Sequence, residues 1–99
     1  MKSFSERVLE ATRKIPEGKV TTYSEIARVL GKPGAARAVG NALNKNRCPG
    51  IIPCYRVVRS DGSVGGYAKG ASEKIRLLRK DGIEMKRRKV NLKKHLHSF

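Results

Sequence analysis

Apolar residues recur every three or four positions in four stretches of this chain, with glycine or proline between most of them. Phe4, Val8, Ala11 and Ile15 lie at spacings of four, three and four, which is one face of a helix over residues 3–15. Ser3 and Glu6 stand at capping-box spacing at its start, and Pro16 and Gly18 end it. A second helix opens after Val20-Thr21, with Thr22 and Glu25 repeating the capping box and Ile26, Ala27 and Leu30 as its inner stripe. Gly31 and Pro33-Gly34 stop it and turn the chain. A third helix is predicted over 35–45, with Val39 and Leu43 inward. A fourth runs over 72–81, capped by Ser72, carrying Ile75 and Leu78 inward and ended by Gly82.

The pattern changes between the third and fourth helices. Residues 46–53 read as a loop centred on Pro49-Gly50, and Arg56 to Arg59 as a short strand. Asp61-Gly62 is a hairpin signal, with Ser63-Val64 returning. Gly65-Gly66-Tyr67 and Gly70 form a tight or flexible loop. From Met85 the chain is basic (Lys86, Arg87, Arg88, Lys89, Lys93, Lys94), with Val90, Leu92 and Leu96 available to dock it. There is no internal repeat and no linker. The expected fold is mainly α with a short β-hairpin, a helix-turn-helix domain of the winged-helix kind. Residues 1–99 form one domain, with a basic tail from about residue 85.

Charge narrows the partner. Twenty-three Lys and Arg face eight Asp and Glu, a formal net charge of +15. Such a domain needs an anionic partner, and nucleic acid leads. An anionic membrane surface comes second, but no helix has the strongly amphipathic, aromatic-edged character it favours. No apolar run approaches the ~18 residues of a membrane span. The start is not a signal peptide, so the expected location is the cytoplasm (nucleoid) or a nucleus, not outside the cell. Reduced thiols suit Cys48 and Cys54 better than a disulfide closing so short a loop. With His95 and His97 distant, they form no zinc pattern. No metal or cofactor is expected.

The third helix presents Arg37, Asn41 and Lys45 on one polar face. It is also rich in small residues: Ala35, Ala36, Ala38, Gly40 and Ala42. These permit either close packing on another helix or close approach to a DNA backbone. Cys54 lies in Ile51-Ile52-Pro53-Cys54-Tyr55-Arg56-Val57-Val58, between a proline-bounded loop and a strand. A thiol attacks as its thiolate, and a basic domain suits an anionic nucleophile. Taken alone, a cysteine there is usually a small buried hydrophobe.

Several motifs in order decide between these. Val20-Thr21-Thr22-Tyr23, Ala35-Ala36-Arg37-Ala38-Val39-Gly40, Asn46, Ile52-Pro53-Cys54-Tyr55-Arg56-Val57-Val58, Gly65-Gly66-Tyr67, Lys74 and Asp81-Gly82 together resemble the C-terminal domain of the O6-alkylguanine-DNA alkyltransferases. These are the methylated-DNA–protein-cysteine methyltransferases, and the likeness covers roughly residues 4–84. It implies DNA repair by a monomer acting on double-stranded DNA that holds O6-alkylguanine. The helix-turn-helix enters the minor groove, the damaged guanine is flipped into a pocket, and Cys54 takes the alkyl group irreversibly, once per molecule. By the same resemblance Arg37 fills the gap left by the base, and Ala36, Ala38, Gly40, Asn41, Thr22 and Tyr23 lie at the DNA. Tyr23 also protonates the departing guanine at N3. Asn46 braces the turn towards the active-site loop, Tyr67 walls the pocket, and main-chain groups near Cys54 and Val57 read the guanine edge. Arg56 belongs to the same motif.

Three departures from the family pattern stand out. Tyr55 replaces the histidine that, through a water, takes the thiol proton in the family, and a tyrosine ionises only near pH 10. Asp81 replaces the glutamate that orients that histidine. The expected outcome is transfer that is slower or needs higher pH. The N-terminal domain common in the family, which holds zinc in some members, is expected to be missing here. Two other functions remain open. One is an alkyltransferase-like protein that binds damage without transfer, against which Cys54 itself counts. The other is a helix-turn-helix transcription factor without chemistry.

Overall fold

The computed structural model describes residues 2–46, 51–67 and 69–99. Cys48 and the Pro49-Gly50 centre of the expected loop lie outside the described residues.

The first half is three helices. In α1 (Phe4–Arg13) the capping box forms: Ser3 Oγ accepts from Glu6 N at 3.1 Å, and Ser3 N donates to the Glu6 carboxylate at 3.3 Å. The helix stops at Arg13, short of the expected residue 15, yet Ile15 remains in the core. Before α2 comes a two-residue strand, β1 (Thr21–Thr22). In α2 (Tyr23–Val29) Thr22 is the cap, its hydroxyl accepting from Glu25 N at 3.0 Å, and the Glu25 carboxylate pairs with Arg28. Gly31 and Gly34 hold φ of 77° and 93°, so the turn into α3 (Ala36–Asn44) uses the left-handed freedom of glycine. The three helices make the expected helix-turn-helix.

The second half corrects the expected strands. Cys54–Arg56 is a turn of 3-10 helix, and the strand is only β2 (Val57–Val58), not Arg56 to Arg59. It pairs in parallel with β1, Thr21 against Val57 and Thr22 against Val58. The turn at Asp61-Gly62 does form, with Gly62 N on Arg59 O and Arg59 N on Ser63 O, both at 2.9 Å. Ser63 then bridges to Lys89 rather than continuing a hairpin with β2. The antiparallel hairpin lies in the basic tail, between β3 (Met85–Lys86) and β4 (Lys89–Val90). α4 (Ala71–Lys80) is capped by the backbone of Gly70, and Ser72 sits inside its first turn. A last short helix, α5 (Leu92–His95), was not expected.

Val57 and Val58 organise the interior. Successive strand residues face opposite ways, and each of these two is fully buried in a different core. Val57 joins the core of α1–α3, with Val8, Ile26 and Val39. Val58 joins a second core made by Val20, Ile75, Leu78 and Val90. Each buried valine contributes about 1.5–3 kcal/mol. The two-stranded pair is therefore the partition between the cores, and the 3-10 turn carrying Cys54 runs directly into it.

The tail docks on the second core. Val90 is buried and Leu92 packs beside it, whereas the Leu96 side chain is exposed and its backbone bridges to Val20. His95, buried, ties the tail to the body: Nε2 accepts from Glu84 N at 2.9 Å and Nδ1 meets Gly18 O at 3.0 Å. That pair of contacts requires the neutral tautomer with its proton on Nδ1.

Candidate active site and nucleic-acid interface

Cys54 and Tyr55 are adjacent in the 3-10 turn but serve different sides of it. Cys54 packs against the α1–α3 core and Tyr55 against the second core. The half-buried, free thiol of Cys54 lines a pocket of about 320 Å3 with Tyr23, Arg37, Gly40, Asn46 and Tyr67. Ala36 and Asn41 of α3 also line it, as do Arg59, Gly66 and Lys69. Asn46 sits just beyond α3, where its Nδ2 donates to Ile52 O at 3.1 Å. The same carbonyl accepts from Cys54 N at 2.8 Å, so one oxygen fixes the end of α3 and the reactive turn together.

The side chain that sequence reasoning left without a role is Lys74. It is 1% exposed, a charged group at a core position of α4. Its Nζ reaches Val57 O at 2.7 Å, Gly66 O at 3.3 Å and the Tyr23 hydroxyl at 3.3 Å. Three acceptors match the three protons of an ammonium. Burial brings Lys74 down to about 8, against the pull of an anionic Cys54, while Arg59 pushes the same way as burial. If the Tyr23 oxygen accepts from Lys74, its own proton is free to point into the pocket. Burial raises Tyr23 above the ordinary phenol value. A lysine at helical spacing from Leu78, on the buried stripe of α4, was the signal that could have singled it out.

Tyr55 and Asp81 are brought together, but not as a relay that ends in a base. The Tyr55 hydroxyl donates to the Asp81 carboxylate, 3.1 and 3.0 Å from its two oxygens. Burial raises the phenol further, and the hydrogen bond to Asp81 adds to this. Arg56 Nε donates to the same carboxylate at 2.7 Å, and Arg56 Nη1 donates to Ile15 O at 2.9 Å. This buried ion pair is anchored on both sides, which is the geometry in which desolvation is offset. It locks the 3-10 turn to α1 and α4.

The polar face of α3 is open. Arg37, Ala38 and Asn41 are exposed while Val39, Ala42 and Leu43 face the core. Ala38 lies outside the pocket lining, on the helix surface beside it. Among the described residues, a Cβ on Gly40 would meet only the Tyr23 ring, at 3.9 Å, an ordinary contact. Internal packing therefore does not demand glycine there. Thr22, expected at the DNA face, is instead buried and committed to capping α2. Arg56 and Tyr55 line a separate depression behind the turn, and the Val57 carbonyl already receives Lys74. Among the described residues no group of three His, Cys, Asp or Glu could hold a metal ion. No described helix is long and apolar enough to cross a membrane.

Comparison with known proteins gives this geometry a family. Residues 3–83 match the model of the 6-O-methylguanine DNA methyltransferase DNA-binding domain. The chain is 52% identical over 82 residues to a bifunctional methyltransferase/endonuclease of Picrophilus torridus, covering 83% of this chain and 28% of that one. It is 44% identical over 82 residues to a methylated-DNA–protein-cysteine methyltransferase of Methanothermobacter thermautotrophicus, covering 83% and 46%. The chain thus spans less than half the length of these two relatives. Among solved structures, Atl1 of S. pombe in complex with damaged DNA containing O6-carboxymethylguanine superposes with a TM-score of 0.88 at 31% identity, over 100% of both chains. Mycobacterium tuberculosis OGT in complex with DNA gives 0.79 at 41% identity, over 83% of this chain and 50% of that one. The motifs around Tyr23, Arg37 and Cys54, the helix-turn-helix and these matches agree: the chain belongs to the 6-O-methylguanine DNA methyltransferase family, whose work is DNA repair through recognition of alkylated guanine.

Proposed function

We propose that the chain, as a monomer on duplex DNA, repairs O6-alkylguanine by moving the alkyl group onto Cys54. The observation that carries this is the placing of a free, half-buried thiol in one pocket with Tyr23, Arg37 and Gly40, with the buried Lys74 donating to the Tyr23 hydroxyl. α3 lies in the minor groove with its small residues against the backbone, and the Arg37 guanidinium fills the space of the flipped base. The Cys54 thiolate attacks the alkyl carbon, a C–S bond forms, and the C–O6 bond breaks with its electron pair passing to guanine. Tyr23 gives its proton to the departing base, and Lys74 replaces it through their 3.3 Å contact. The thioether stays, so each molecule acts once. The DNA present in the complexes of M. tuberculosis OGT and S. pombe Atl1 supports DNA as partner. To test the proposal, place O6-methylguanine in a restriction site: cleavage should return in proportion to protein added, and no return of cleavage would reject it.

A second reading, lesion binding without transfer, is favoured by one observation: the Tyr55 proton is already given to Asp81, so Tyr55 is no base for the thiol. Tyr55→His separates the two. On the transfer reading it restores a base of suitable pKa and raises the rate about tenfold at pH 6. A parent that keeps pace with the variant at pH 6 would show that the thiol needs no such base.

Gly40→Ala tests the docking of α3. It is expected to raise stability by about 0.5–1 kcal/mol, read from the urea midpoint, because a helix gains Ala for Gly at no packing cost. Duplex affinity should fall several-fold as the added methyl meets the DNA backbone. Unchanged affinity would place the DNA elsewhere.

A further inference from the structure

We propose that the pocket selects O6 adducts ending in an anion, of which carboxymethyl is a small example, and that Arg59 and Lys69 make the selection. This rests on the pocket receiving an alkylated guanine, as above. Arg59 and Lys69 both line it, and no Asp or Glu is among the described residues of its lining. Neither cation has a part in the transfer chemistry, and neither side chain makes a hydrogen bond or ion pair among the described residues. Glu73, whose carboxyl feels the Lys69 charge, is itself engaged by Arg76. The Arg59 charge is felt in the site: it works against the burial that raises Tyr23 and adds to the burial that lowers Lys74.

A methyl group gains nothing from these charges. A carboxylate on the adduct would lie close to the Cys54 thiolate that must attack beside it, and that repulsion would slow a neutral-walled site. Two cations in the lining would offset it and hold the adduct's far end, orienting the methylene towards sulfur. The step is the same displacement: sulfur bonds to the methylene carbon and the C–O6 bond breaks. The electron pair goes to guanine, which takes the proton from Tyr23, and S-carboxymethylcysteine remains. Both residues are exposed, so solvent screening limits the effect to a few-fold.

The test compares duplexes identical except for O6-carboxymethylguanine or its uncharged isostere, O6-carbamoylmethylguanine. Second-order transfer rates are measured with the full chain, with O6-methylguanine as a reference. The parent should prefer the carboxylate by about fivefold, and Lys69→Gln and Arg59→Gln should each bring the ratio towards one, as should added salt. A parental ratio of one, or a ratio that neither substitution moves, would overturn the proposal. Equal losses on both lesions would show that the cations hold DNA phosphates instead, which also overturns it. Absence of transfer from O6-methylguanine would count against the transfer reading alone. The same ratio, read as Kd with Cys54→Ala, would then decide the selection.

Discussion

Cys54→Ala is expected to abolish alkyl transfer while duplex affinity for the lesion stays within about threefold of the parent. Among the described residues that line the pocket, nothing else can replace the thiol. Burial raises the Tyr23 and Tyr67 phenols above their ordinary value, which keeps both protonated at neutral pH. Lys74 is an ammonium below about 8, and its protons are directed to Val57 O, Gly66 O and the Tyr23 hydroxyl. The fold should tolerate the change, since the half-buried side chain packs only at the edge of the α1–α3 core. Loss of a sulfur atom there costs about 1 kcal/mol. Gel-shift titration beside a transfer assay checks both halves. Residual transfer in the variant would mean that Cys54 is not the acceptor.

Lys74→Met should lower the transfer rate about 100-fold. Lys74 acts through Tyr23 rather than on the substrate, so the diagnostic readout is the pH profile. In the parent, the rate should fall as pH rises through about 8 and the ammonium is lost. In Lys74→Met that falling limb should vanish. Tyr23→Phe should cost a similar factor, and the double variant little more, because the two form one proton path. A falling limb that persists in Lys74→Met would assign it to another group. Stability carries its own signature. The folded value lies below the ordinary 10.5, so the unfolded chain binds more protons between about 8 and 10.5. The Lys74 contribution to stability therefore rises with pH across that window, and below about 8 the cost of burying the charge is felt in full. That rise should be missing from Lys74→Met in urea melts between pH 8 and 10.

The helices and the pocket-lining residues of α3 were legible because their signals are local. Ser3 and Glu6, Thr22 and Glu25, and Gly31 with Pro33-Gly34 mark ends and turns within a few residues of where they act. The parallel pairing of Thr21–Thr22 with Val57–Val58 was not legible. Its partners are distant in the chain and each strand is two residues long, too short to show alternation. Asp61-Gly62 did turn the chain, but the strand it should have returned along was taken by β1 instead. The hairpin in the tail hid for a different reason. Its turn is Arg87-Arg88, at φ of 53° and 65°, a conformation that sequence rules assign to glycine or asparagine. Within the site, the Tyr55–Asp81 pairing followed the family pattern. The role of Lys74 stayed hidden because a lysine is taken as a solvated charge unless its place on a buried stripe is noticed.

The central claim is that Cys54 keeps what the guanine loses. The direct measurement is the mass of the full chain after incubation with an equimolar duplex holding O6-methylguanine, followed by peptide mapping. The expected result is a gain of one methylene per chain, located on Cys54, with none from an undamaged duplex. Tight, lesion-selective binding with no change in mass would contradict it, and would make the chain a reader of the damage rather than its repair.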